Sequence, residues 1–204
     1  MPEASNVTPP DRLDVLVAGA GYVGLAVAVA IKSARPSLSV AIVDAAPAGV
    51  WQRDGRASAI AAAASRMLDR LDCWAEIAPE AQAITDMIVT DSRTSDPVRP
   101  VFLTFGGEIA PGEPFAHMVD NKVLNGALRR KAGELGIDLL EGIGVIGFEE
   151  TPGGLDTHLA DGTWPWENVA PGIQKDVEAL IADLCDGNEA EWQEHTDRNE
   201  PRQP

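Results

Sequence analysis

The segment Asp14-Val-Leu-Val-Ala-Gly19-Ala20-Gly21-Tyr-Val-Gly24 constrains the fold more than any other part of the chain. Leu13 to Ala18 is a short apolar run of the kind that forms a buried parallel strand. Leu25 to Ala34 continues as a helix of small and apolar residues. Ser39-Val-Ala-Ile-Val43 is a second buried strand, and Asp44 ends it, about 20 residues after the glycines. A Gly-x-Gly-x-x-Gly alone carries little information in a chain rich in Gly and Ala. Placed between two apolar strands and followed by an acid, it has the layout of a dinucleotide-binding βαβ unit.

Each position has a physical role. Gly19 permits the tight strand-to-helix turn, Gly21 lets a pyrophosphate approach the backbone, and Gly24 lets the helix lie close on the sheet. The amides and dipole of the helix N-terminus then favour a phosphate. Asp44 can accept hydrogen bonds from both ribose hydroxyls and would repel a 2′-phosphate. A glycine-rich packing motif is the bland alternative. Val15 to Ile31 is also apolar enough to suggest a membrane span or signal peptide. Its three glycines, the preceding Pro9-Pro10-Asp11-Arg12 and the lack of a basic leader argue against both.

The 204 residues carry a formal net charge of −16, with a sequence pI of about 4.4. That balance argues against a nucleic-acid backbone as partner and predicts a soluble cytoplasmic protein. Cys73 and Cys185 are far apart and form no motif, so neither a disulfide framework nor a cysteine metal site is predicted. His117, His158 and His195 share no ligand spacing and read as structural or surface residues.

Residues 1–11 form a polar, Pro-containing leader expected to be disordered. After Asp44 and a Pro- and Gly-containing loop, Arg56 to Leu71 reads as a helix, because the Ala59 to Ala64 run has high helix propensity. Ile84 to Ser92, Val101 to Phe105 and Phe115 to Val119 read as strands of an antiparallel hairpin or meander. Asp120 looks like an N-cap for a helix whose apolar face holds Val123, Leu124, Ala127, Leu128 and Leu135, ended by Gly136. Ile137 to Leu140 returns as a strand. Val145 to Glu149 and Leu155 to Leu159 resemble a short antiparallel pair. At Trp164 the composition changes: residues 164–204 hold ten Asp/Glu against three Lys/Arg and one plausible helix, Gln174 to Cys185.

Three segments together resemble the first part of FAD-dependent aromatic hydroxylases of the para-hydroxybenzoate hydroxylase fold, and most of all their ubiquinone-biosynthesis branch. They are Gly19-x-Gly21-x-x-Gly24 with Asp44, then Asp54-Gly-Arg56-Ala-Ser-Ala-Ile60, similar to the family's Asp-x-Arg-x-x-Ala, and Met118-Val-Asp120-Asn121-Lys122-Val-Leu124, similar to its Val-Glu-Asn-Arg-x-Leu. The resemblance runs from about Leu13 to Thr163. It implies an α/β fold, with a Rossmann-like FAD-binding βαβ domain over residues 12–163 and an antiparallel β insertion at about 84–119 from an incomplete substrate domain. Residues 164–204 would be an unrelated acidic tail.

The resemblance implies that Gly19, Ala20, Gly21, Gly24 and Asp44 hold the ADP half of FAD, and that Arg56 sits near the flavin. A guanidinium supplies fixed donors for a phosphate or a polarised flavin edge; otherwise Arg56 is a solvated charge at a helix N-terminus, where a cation is unfavourable. Lys122 stands where the family has Arg, keeping the charge but losing the bidentate fork. It is either a cofactor contact or an exposed helix charge. No catalytic residue and no metal ligand is assigned.

The implied activity is hydroxylation of an aromatic ring, with NAD(P)H as electron donor and a polyprenyl-phenol as substrate. The implied location is cytoplasmic or peripheral to a membrane, with no transmembrane segment. Two later family motifs, an Asp-Gly segment with downstream Ser and Arg, and a Gly-Asp-Ala-x-His segment, do not occur; Asp161-Gly162 reads as a hairpin turn. The expectation is a truncated form that forms a homo-oligomer or pairs with related hydroxylases. Two alternatives stay open: a catalytically dead nucleotide-binding or interaction module, and an NAD-dependent reductase.

Overall fold

A computed structural model describes residues 13–90, 93, 95, 97–151 and 154–160. The expected leader at 1–11 and the expected tail at 164–204 with its helix lie outside the described residues. The chain divides into two compact units, Met1–Arg53 with Leu128–Pro204, and Asp54–Ala127.

In chain order the first unit opens with β1 (Val15–Ala18), α1 (Tyr22–Ala34) and β2 (Val40–Asp44). The second unit holds β3 (Ala57–Ala61), α2 (Ala62–Arg70), α3 (Trp74–Ile77), β4 (Gln82–Ile84), β5 (Asp86–Thr90), β6 (Val101–Gly106), β7 (Glu108–Ala110), β8 (Glu113–Pro114) and β9 (Ala116–Asp120). Helix α4 (Asn121–Glu134) runs across the division. The first unit then resumes with β10 (Asp138–Glu141), β11 (Val145–Thr151) and β12 (Gly154–Leu159).

The first unit is built on a parallel sheet of order β1-β2-β10. Val15 pairs with Val40 and Ala18 with Val43 on one side, while Asp138 pairs with Ala41 and Glu141 with Asp44 on the other. Strand β2 is central, and Val40 to Val43 are all buried, which is why its sequence is a continuous apolar run rather than an alternating one. Helix α1 buries Leu25, Ala26, Ala28, Val29, Ala30 and Ile31, so it is apolar on most of its circumference. Asp14 ties the starts of the two strands together: its Oδ2 accepts from Ser39 N and Ser39 Oγ, each at 2.8 Å. Strands β11 and β12 form an antiparallel pair.

In the second unit β3, β9 and β4 form an antiparallel sheet with β9 in the middle. The expected helix over Arg56 to Leu71 is half wrong, because Ala57–Ala61 is a strand and only Ala62–Arg70 is helical. Alanine's helix propensity is worth a few tenths of a kcal/mol per residue, and a full ladder from Ala57↔Asp120 to Ala61↔Ala116 outweighs it. Likewise the single strand expected from Ile84 splits at Thr85, with β4 pairing to β9 and β5 to β6. Arg66 on α2 grips Glu113 with both fork nitrogens at 2.8 and 2.7 Å, holding that carboxyl below its usual pKa. His117 on β9 meets the edge of Trp74 at 5.0 Å between centroids and lies in no metal cluster among the described residues. The β5–β6 ribbon leaves Ile88, Val101 and Phe102 exposed. Among the described residues no helix is long and apolar enough to cross a membrane.

Candidate functional site

The turn between β1 and α1 has the geometry its glycines require. Gly19 sits at φ +104°, in the left-handed half of backbone space that residues with a Cβ avoid. Its N–H donates to Val43 O at 2.7 Å, which ties the turn to the end of β2. A Cβ on Gly24 would collide with the Gly19 carbonyl oxygen and lie 3.3 Å from Val17 Cγ1. A Cβ on Gly21 would meet nothing within 4 Å, so the space in front of that residue is open. Gly21 is the N-cap of α1, makes no side-chain cap bond, and no acid occupies the first turn. Within its own first turn the helix dipole meets no compensating acid, the condition in which an anion is favoured.

Asp44 lies at the carboxyl end of β2, where ligands of parallel sheets bind. Its Oδ2 accepts the Ala20 N–H at 2.7 Å and its Oδ1 accepts the Ala46 N–H at 2.7 Å. Each oxygen keeps a further lone pair for another donor. An open glycine turn, an uncapped helix start and a positioned carboxylate together fit the adenosine and pyrophosphate portion of a dinucleotide.

In the second unit, Asp54 organises a polar cluster. Arg56 Nε and Nη2 each donate to its carboxylate at 2.8 Å, the Arg56 N–H at 3.0 Å, and Asn121 Nδ2 at 3.2 Å. Ser58 Oγ donates to Asn121 Oδ1 at 2.7 Å. The Arg56 guanidinium, and then its backbone N–H and the Asn121 amide, hold the Asp54 carboxyl far below the usual carboxylate range. A depressed pKa stabilises the fold above the ordinary Asp value and ceases to do so as pH falls through the depressed one. Acid unfolding of an Asp54→Asn variant is therefore expected to be shallower than wild type below about pH 4. Superimposable acid titrations would contradict this.

Arg56 does not start a helix, so the expected dipole conflict at that residue does not arise; it precedes β3, with its side chain 81% exposed. Lys122 Nζ pairs with Asp120 Oδ2 at 3.2 Å, both half-exposed. Asp120 is the last residue of β9 and directly precedes α4.

One group carries no signal in the sequence. Arg129 on α4 donates through Nη1 to Glu141 Oε1 at 2.8 Å and through Nη2 to the Ala20 carbonyl at 3.3 Å, with its guanidinium carbon 5.1 Å from the Trp51 ring centroid. Nothing in the Leu128-Arg-Arg-Lys131 run separates Arg129 from Arg130, which pairs with Glu134 one turn on.

No family model matches the chain. The ubiquinone hydroxylase UbiL of Rhodospirillum rubrum is 33% identical over 153 residues, covering 73% of this chain and 34% of UbiL. Among solved structures, p-nitrophenol 4-monooxygenase PnpA from Pseudomonas putida matches with a TM-score of 0.56 at 16% identity, over 73% of this chain and 36% of that one. The tetrameric form of 2-methyl-3-hydroxypyridine-5-carboxylic acid oxygenase matches with a TM-score of 0.53 at 19% identity, over 75% and 37%. The UbiL likeness sets the chain with the FAD-dependent aromatic hydroxylases, as a counterpart of their N-terminal part, and the solved structures share its fold. Within them the UbiL match assigns it to the ubiquinone-biosynthesis branch. The chain spans about a third of the length of that curated relative.

Proposed function

We propose that this chain carries the ADP-binding half of an FAD site, and that it serves a monooxygenase hydroxylating an aromatic ring in the ubiquinone pathway. The observation that carries the reading is the joint placement of the open Gly21 turn, the uncapped start of α1 and the Asp44 carboxylate at one end of a parallel sheet. Gly19, Ala20, Gly21 and Gly24 would shape the turn around the pyrophosphate, and Asp44 would accept the ribose hydroxyls. Arg56 and Lys122 are proposed as further cofactor contacts. When bound, the flavin supplies the redox chemistry, with NAD(P)H as electron source, and the protein supplies position and electrostatics. The substrate class is a polyprenyl-phenol. The exposed apolar ribbon β5–β6 supports cover by a second copy or a related hydroxylase.

The test is to supply FAD during refolding, desalt, and record the visible spectrum. Retained flavin absorbance is the expected result, and a folded protein with no flavin would reject the cofactor site. A second reading, a nucleotide-binding module without turnover, is favoured by the engagement of Arg56 with Asp54. It predicts ADP binding without flavin retention. A stand-alone NAD-dependent reductase predicts tight NADH binding with no FAD preference.

A further inference from the structure

We propose that Arg129 is a positioning residue for the glycine turn, fixing the peptide plane that presents the Gly21 amide. This rests on the proposed nucleotide site and deepens it. Ala20 is held from both sides: its N–H by Asp44 Oδ2 at 2.7 Å and its C=O by Arg129 Nη2 at 3.3 Å. These belong to two consecutive peptide planes. In a planar trans peptide the C=O and N–H point in opposite directions, so anchoring the Ala20 carbonyl sets the direction of the Gly21 N–H.

Arg129 is itself braced. Its Nη1 donates to Glu141 Oε1 at 2.8 Å, and Glu141 is the β10 neighbour of Asp44 in the parallel register. The loop, the ribose acceptor and the brace thus form one circuit across β2 and β10. The two side chains are only 12% and 19% exposed, and Arg129 Nε has no hydrogen-bond partner among the described residues. A buried pair kept for packing alone is replaceable by apolar residues. A fork that spans a carboxylate and a loop carbonyl is not replaceable by an apolar residue, and only in part by lysine, a single point charge.

The experiment titrates ADP and adenosine into the full chain as wild type, Arg129→Met, Arg129→Lys and Glu141→Gln, with melting of each nucleotide-free protein. The expected result is ADP affinity weakened roughly tenfold or more in Arg129→Met, with adenosine affinity unchanged and Arg129→Lys recovering part of the loss. Loss confined to the phosphate-bearing ligand is what a merely structural role would not produce. The proposal is overturned if ADP binding stays within about twofold of wild type in folded variants, or if ADP and adenosine weaken by the same factor. If Arg129→Met does not fold, Arg129→Lys and Glu141→Gln decide by the same criterion. A wild-type chain that binds neither ligand removes the nucleotide site itself, and this role with it.

Discussion

Replacing Gly24 by alanine is expected to destabilise the first unit by about 2 kcal/mol, within the range that overpacking costs. Two effects oppose one another. Alanine in a helix interior is favoured over glycine by roughly 0.8–1 kcal/mol, so on propensity alone the variant would be more stable. Against that, the added Cβ collides with the carbonyl oxygen of Gly19 and crowds Val17 Cγ1. The obstacle is backbone, and Gly19 already sits at φ +104°, tied to Val43 through its N–H. It cannot yield without opening the turn or lifting α1 from β1. The clash should therefore outweigh the propensity gain, and a valine there should cost more again. Urea unfolding measures this as a lower midpoint at an unchanged slope. A midpoint equal to or above wild type would show that the helix does not lie on the strand as described.

Replacing Asp44 by alanine is expected to weaken ADP binding roughly 100-fold, the equivalent of two hydrogen bonds to a charged acceptor. The same change removes the acceptor for the Ala20 and Ala46 amides. The Ala46 bond is exposed, so water can replace it, and the stability cost should be near the low end for such bonds, about 1.5 kcal/mol. A carboxylate facing the ribose also repels a 2′-phosphate. Wild type should accordingly prefer ADP over 2′-phospho-ADP, and Asp44→Asn should narrow that preference, because the amide removes the charge but keeps one acceptor. Calorimetric titration of both ligands into both proteins tests it. An unchanged preference would place the ribose elsewhere.

Gly24 and Asp44 both belong to the stretch of chain whose fold is legible in its residues alone. The β1–α1–β2 path can be read because its signals are local. Two apolar runs end at defined points, glycines stand where the backbone must turn or approach closely, and an acid closes the second strand. The segment Arg56 to Leu71 is not legible in the same way. Its alanines favour helix, and the partner that makes Ala57–Ala61 a strand is β9, whose Asp120 lies opposite Ala57 in the sheet though far along the chain. Asp54 is the mixed case. Its place in a motif with Arg56 is visible in the sequence, but its hydrogen bond from Asn121 Nδ2 needs α4 to begin where it does.

The sequence by itself determined the nature of the turn, because the absence of a Cβ at Gly19, Gly21 and Gly24 and the charge of Asp44 are properties of the residues alone. Only the tertiary structure decided what braces that turn. Ala20, Trp51, Arg129 and Glu141 are scattered along the chain, and their approach depends on β10 pairing beside β2 and on α4 delivering one arginine of two to the loop. Pairing of that kind is set by the burial of whole strands and helices, and no local spacing encodes it.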